Sequence, residues 1–365
     1  MFRNIFENKL ILVTGHTGFK GSWLSLWLNR LGANVIGLSD NVPTIPSNFV
    51  TCKVSDFLTH DYRIDLTNFE EVYKVLDKHD FDFVFHLGAQ ALVRPSYKDP
   101  KNTFLTNSVG TINILEALRR LNAKTVAILI TSDKAYDNVE WFYGYRETDS
   151  IGGKDPYSAS KGMAELAIKS YFHSFFKNNE SNTTVAVTRA GNVIGGGDWA
   201  LDRIIPDCVN AWSQNDSVKL RSPNATRPWQ HVLEPLSGYL NLASRLFIDN
   251  NLNGEAFNFG PSSDNSFSVM QLINEMSKYW DKVSWVDVSD ASNLHEAGLL
   301  KLNCDKALQI LNWKQTLGFE ETVMYTVDWY KNFYEGNFDM LKYTELQIDQ
   351  FVEVATKKRI NWAIE

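Results

Sequence analysis

The first half of the chain alternates short, wholly apolar runs with longer segments that carry apolar residues at helical spacing. No other feature restricts the fold as much. Leu10-Ile11-Leu12-Val13, Val35-Ile36-Gly37-Leu38, Phe83-Val84-Phe85 and Val126-Ala127-Ile128-Leu129-Ile130 show no polar alternation. That is the mark of strands buried on both faces of a parallel sheet. Residues 22–31, 68–78 and 108–121 between them read as amphipathic helices. Such alternation predicts an α/β fold, a doubly wound parallel sheet with helices on both faces. A strand over 184–189 follows a helix running from about Tyr157 to Lys177, and residues 255–260 supply one more.

Beyond Gly191 the pattern loosens. Gly195-Gly196-Gly197-Asp198 and Ser222-Pro223-Asn224 are turn-rich. Helices over 268–280 and 305–311 open on Ser268 and Asp305 as expected caps. The expected division is a Rossmann-like dinucleotide domain over 1–190, with 228–262 returning to it. A smaller, mostly C-terminal substrate domain then takes 191–227 and 263–365.

Composition narrows the function. The chain has 365 residues, enough for one large domain or two interlocked ones. Its net charge of −7 argues against nucleic acid, whose binders show a basic face. Cys52, Cys208 and Cys304 are widely spaced and odd in number, which suits neither a disulfide framework nor a metal cluster. Neither a signal-like opening nor a run of ~20 uncharged apolar residues is visible. A cytoplasmic enzyme or binding protein, without membrane or metal, is the expectation.

Three motifs carry chemistry. Gly15-His16-Thr17-Gly18-Phe19-Lys20-Gly21 follows the first strand and opens the first helix, where backbone N–H groups can meet a pyrophosphate. Asp40 ends the second strand 19 residues beyond Gly21, placed to accept from adenosine ribose hydroxyls. A carboxylate there repels a 2′-phosphate, which favours NAD over NADP. Tyr157 and Lys161 sit at i and i+4 on one helical face, so phenol and ammonium point into one cleft. A neighbouring cation stabilises phenolate and suits it to act as a base. Thr131-Ser132-Asp133-Lys134 leaves the most apolar strand at its carboxyl end, where open parallel sheets bind ligands. Each motif has a plainer reading: a structural turn, a surface Tyr and Lys, a common strand exit. Their succession at distances that fit one alternating sheet favours the chemical one. His86 and His231 read as polar packing groups, Trp27 and Trp212 as packing surfaces.

Two later stretches are more specific: 189–199, Arg-Ala-Gly-Asn-Val-Ile-Gly-Gly-Gly-Asp-Trp, and 227–232, Arg-Pro-Trp-Gln-His-Val. With the three motifs they make the chain resemble the extended short-chain dehydrogenase/reductases, and within them the CDP-glucose 4,6-dehydratase group. The likeness runs over roughly residues 9–350. It implies tightly held NAD and an internal redox reaction on a nucleotide sugar, CDP-glucose. In that scheme Tyr157, with Lys161 and Ser132, takes the sugar 4-hydroxyl proton while hydride leaves C4. Water is lost across C5 and C6, and the hydride returns to C6.

By the same resemblance, Asp133 protonates the departing 6-hydroxyl. Lys134 stands where the dTDP-glucose enzymes have Glu, as the C5 base or as an electrostatic partner. Cofactor contacts implied are Gly15, Thr17, Gly18, Phe19, Gly21, Asp40, Asp65, Leu66, Leu87, Ala89, Gln90, Asn107, Tyr157, Lys161 and Val193. Asn192, Arg203 and Arg227 are implied for the nucleotide sugar, with ordinary salt bridging as their plainer reading. Another nucleotide-sugar epimerase or dehydratase of the same family, such as a 4-epimerase, or a non-catalytic dinucleotide-binding regulator, is the alternative. The wide apolar arc Met163, Leu166, Ala167, Ile168, Tyr171, Phe172, Phe175, Phe176 exceeds what one sheet face needs. It predicts a homodimer.

Overall fold

Seven strands build one sheet in the computed structural model, which describes residues 1–178, 181–262, 266–289, 299–336 and 338–365. They are β1 (Leu10–Thr14), β2 (Asn34–Ser39), β3 (His60–Arg63), β4 (Phe83–His86), β5 (Thr125–Ile130), β6 (Thr183–Ala190) and β7 (Ala256–Phe259). The order is β7-β6-β5-β4-β1-β2-β3, and every pairing is parallel. This is the expected Rossmann-like sheet. The order reverses between β1 and β4, so their carboxyl ends open a crevice for a ligand. Only β3 was absent from the sequence pattern. His60, Asp61, Tyr62 and Arg63 are polar, and an edge strand with β2 as its single neighbour tolerates that.

The flanking helices that matter for the site are α1 (Phe19–Arg30), α2 (Phe69–Lys78), α3 (Gly110–Arg119), α4 (Pro156–Tyr171) and α5 (Leu233–Ile248). Asn68 caps α2 by accepting from Glu71 N–H, and Asp155 caps α4 by accepting from Ser158 N–H. Pro156 at the first turn of α4 loses no helical bond. The first three turns of α5 are buried on all sides, from Leu233 to Ser244. It lies close enough to β7 that a Cβ on Gly238 would sit 2.3 Å from the Phe259 ring. The sequence pattern assigns 228–262 to the sheet domain without showing this helix.

Later in the chain, Ser268 caps Val269–Met276 with a full capping box to Gln271. Asp305 is not a cap. It is the first residue of Asp305–Leu311, and Cys304 before it makes no side-chain capping bond. The closing helices α6 (Phe319–Glu335) and α7 (Met340–Lys357) end the fold. Trp27 of α1 meets Phe351 and Trp362 edge-on, and Phe2 stacks on Trp362 at 5.0 Å. Both ends of the chain therefore share the core beneath α1. Residues 263–265 and 290–298 of the expected substrate unit lie outside the described residues. Among those described, no helix is long and apolar enough to cross a membrane.

Candidate functional site

The crevice begins at the turn after β1. Gly15 adopts φ +70°, and a Cβ on Gly21 would stand 2.1 Å from the Gly15 carbonyl oxygen, so both positions demand glycine. Gly18 N–H donates to Gly15 O at 3.0 Å and closes the turn. The cap position of α1 is Gly18, which offers no side chain, so the helix starts with its N–H groups uncovered. A Cβ there would meet only the Gly15 carbonyl oxygen, at 3.3 Å. Thr17 hydrogen-bonds Ser39 Oγ at 2.9 Å and donates to Asn41 O at 2.6 Å, fastening this loop to the end of β2. Asp40 is exposed beside it and accepts from Asn41 N–H at 2.8 Å.

Along the same rim, Asp65 accepts from Thr67 N–H, and Asn113 donates to the carbonyl of buried Leu66. Leu87, Ala89 and Gln90 follow β4. Gln90 N–H donates to Asn107 Oδ1 at 2.7 Å, and Asn107 Nδ2 donates to Ser160 Oγ at 2.9 Å. Asn107 sits in a π-turn, Leu105–Val109, that leads into α3. Such turns displace one residue out of helical register. This one ties the β4 loop to the helix carrying Tyr157 and Lys161.

Ser132, Asp133, Tyr157 and Lys161 come together in one buried group. Ser132 Oγ donates to Asp133 Oδ1 at 2.9 Å and accepts from Lys134 N–H. The Lys134 ammonium lies 5.9 Å from the centre of the Tyr157 ring. Burial raises Asp133 above the usual carboxylate range, with Lys134, Ser132 and Lys20 pulling the other way. Burial also pushes the Tyr157 phenol up to about 12, partly offset by its bond with Ser132. The expected lowering of the phenol is therefore not what the cleft alone gives; loss of water outweighs the nearby cations. Lys161 is brought down to about 8 by burial, against the pull of Glu165.

Asn192 leads into Val193–Ile194, which pairs in parallel with Gln230–His231, and its carbonyl accepts from Gln230 N–H. Gly191 leaves room for Asp133: a Cβ there would lie 3.1 Å from Asp133 Oδ2. Arg203 pairs with Asp198 at 2.7 Å and lies close enough to Tyr157 to act on its charge. Arg227 donates to the carbonyl of Thr226 on its own short strand.

Sequence reasoning passed over Lys20. It occupies the second helical position of α1, and burial with Arg203 and Lys161 brings its ammonium down to about 8. A lysine in a glycine-rich turn was the available signal. His86 is bonded between Thr14 and Thr111 and held neutral, at about 3, by burial. His231 is likewise buried and neutral. Among the described residues no His, Cys, Asp and Glu group is arranged to hold a metal.

Comparison with known proteins agrees with this geometry. The family model described as GDP-mannose 4,6 dehydratase matches residues 12–326. The chain belongs to that family. A relative from Salmonella typhimurium, described as CDP-glucose 4,6-dehydratase, is 43% identical over 97% of this chain and 99% of its own length. Among solved structures, the UDP-glucuronic acid 4-epimerase of Bacillus cereus superposes with TM-score 0.77 at 21% identity, over 89% of this chain and all of its own. The dTDP-glucose 4,6-dehydratase of Bacillus anthracis gives 0.74 at 20%, over 90% of this chain and 98% of its own. These two share the family's fold.

Proposed function

We propose that the chain is a cytoplasmic, NAD-dependent nucleotide-sugar 4,6-dehydratase whose substrate is CDP-glucose. The observation that carries this is the meeting of Ser132, Tyr157 and Lys161 with Asp133 in one buried group, with half-buried Lys134 over the Tyr157 ring. An epimerase needs only the first three; loss of water needs a further acid and base. Near-full-length identity of 43% to a CDP-glucose 4,6-dehydratase supports the cytidine nucleotide.

The residues fit NAD. The uncapped start of α1 suits a pyrophosphate, and the open face of Gly18 leaves space for it. Gly15, Thr17, Phe19 and Gly21 shape that turn, Asp40 would accept from the ribose, and Asp65 and Leu66 would hold the adenine. Leu87, Ala89, Gln90, Asn107 and Val193 would hold the rest, with Lys161 available to the nicotinamide ribose. When bound, the dinucleotide accepts a hydride from C4 of the sugar and returns it to C6.

Tyr157 takes the proton of the 4-hydroxyl, assisted by the Ser132 hydroxyl. The C4 ketone acidifies the C5 proton, which Lys134 removes or whose enolate it stabilises. Asp133, raised above the usual carboxylate range by burial, gives its proton to the departing 6-hydroxyl, so water leaves. A proton returns to C5 as hydride reaches C6, giving CDP-4-keto-6-deoxyglucose and water. Asn192, Arg203 and Arg227 hold the nucleotide sugar, an arginine fork matching a diphosphate. Lys20 adds a cation beside Arg203.

Incubation with CDP-, UDP-, dTDP- and GDP-hexoses tests the reading through the alkali-developed absorbance of the 4-keto product. CDP-glucose is expected to give it with NAD, and NADP to give little because Asp40 opposes the 2′-phosphate. Absence of product from every nucleotide would end the dehydratase reading and favour the regulator.

The same reading includes a homodimer. Met163, Leu166 and Phe175 remain 49%, 59% and 42% exposed, whereas Ile168 and Phe176 of the same arc join the chain's own core. Leu105 and Val109 add to the exposed side. Apolar surface of this kind favours a second copy. Light scattering should report twice the chain's 41.6 kDa, and a monomer at micromolar concentration would reject the dimer.

A further inference from the structure

An ion pair with no place in the scheme above lies directly beneath it. Arg189, on β6, donates to Glu165 from Nε at 2.7 Å and from Nη2 at 2.9 Å, and both side chains are only 5% exposed. Glu165 stands one helical turn beyond Lys161 and two beyond Tyr157, on the same face of α4. Its Oε1 also accepts from Thr131 Oγ1 at 2.5 Å, the residue just before Ser132. Arg189 Nη1 donates to the Tyr136 hydroxyl at 2.7 Å, just after the turn Asp133–Ala135, and the guanidinium lies over the Tyr136 ring. Tyr136 in turn donates to Asn258 of β7. The pair thus grips both ends of the segment that carries Ser132, Asp133 and Lys134, and it does so from the helix that carries Tyr157 and Lys161.

We infer that Arg189 and Glu165 are positioning residues that hold the elimination groups, Asp133 and Lys134, in register with the redox groups, Tyr157 and Lys161. The inference rests on the dehydratase reading. Oxidation at C4 and elimination across C5 and C6 act on one hexose without its release, so the two sets must fit it together. Displacement of about 1 Å can slow such a step by about 10²-fold.

The pair also sets the local charge. Around Lys161 lie Glu165 and Tyr157 on α4, Lys20 from α1, and neutral His86 from β4. Glu165 raises Lys161, and Arg189 balances Glu165. Removing the carboxylate leaves an uncompensated cation, which lowers both phenol and ammonium; removing the guanidinium leaves an uncompensated anion, which raises both.

The test uses Glu165→Gln, Arg189→Met and Arg189→Lys in the NAD-loaded enzyme. Single-turnover C4 oxidation is followed across pH, and product is followed by NMR. The pH limb of C4 oxidation is expected to move down by about one unit in Glu165→Gln and up by about one in Arg189→Met. Arg189→Lys keeps the charge but loses the fork. Its limb should stay near wild type while elimination lags oxidation by about tenfold or more. A merely structural loosening would move no limb, or move both the same way. Either result overturns the inference, as does elimination that keeps pace in Arg189→Lys. Should the two uncharged variants fail to fold, Arg189→Lys alone decides it. A wild-type protein that turns over no hexose nucleotide would remove the dehydratase reading and this inference with it, whereas an active wild type with unaltered variants removes only the inference.

Discussion

Tyr157→Phe in the NAD-loaded protein is expected to stop the reaction at its first step. Turnover of CDP-glucose should fall by about 10²–10⁴, the usual worth of a positioned proton acceptor. No absorbance of reduced dinucleotide should appear on mixing. The ring is only 8% exposed, so phenylalanine fills the same space and the fold should be unchanged by circular dichroism. The phenol is pushed up to about 12 by burial, partly offset by Ser132. Substrate oxidation therefore depends on charges that stabilise phenolate, Arg203 among them. Turnover near wild type in this variant would remove Tyr157 from the proton-accepting role, and with it the redox half of the mechanism.

Asp133→Asn should separate the two halves. C4 oxidation persists, so absorbance of reduced dinucleotide rises to one equivalent per site and stays there. Release of the 4-keto-6-deoxy product should drop by about 10²–10⁴. The reason is the proton on Asp133. Burial keeps this carboxyl above the usual range, so it retains the acid form to higher pH than an exposed aspartate. As pH rises through that elevated value the acid form is lost, and wild-type elimination should decline on the alkaline side. An asparagine there still accepts from Ser132 but has no proton to give to a leaving hydroxyl. A variant that forms product at the wild-type rate would move the acid role elsewhere; one that loses C4 oxidation as well would show that Asp133 serves the redox step.

By itself the sequence determined the sheet and the outline of its crevice. β1, β2, β4 and β5 are each built on an uninterrupted apolar run because parallel strands lose both faces to helices, and β6 was legible from its place after the helix that carries Tyr157. The turn from Gly15 to Gly21 was legible because backbone packed that closely excludes any Cβ. Tyr157 and Lys161 were legible as a pair because helical periodicity puts i and i+4 on one face. Tertiary structure alone decided what depends on residues distant in sequence. β3 exists because β2 offers a ladder to a polar segment. Asp305 is the first helical residue and not the cap, and α5 emerges only in the folded chain, buried against the sheet. The link between Arg189 and Glu165 joins residues that no spacing rule relates. The phenol of Tyr157 was expected low from one neighbour and stands high, because burial is a property of everything around it. Local pattern fixes which atoms can meet within a turn or a helix; desolvation and long-range pairing are set only when the whole chain has closed around them.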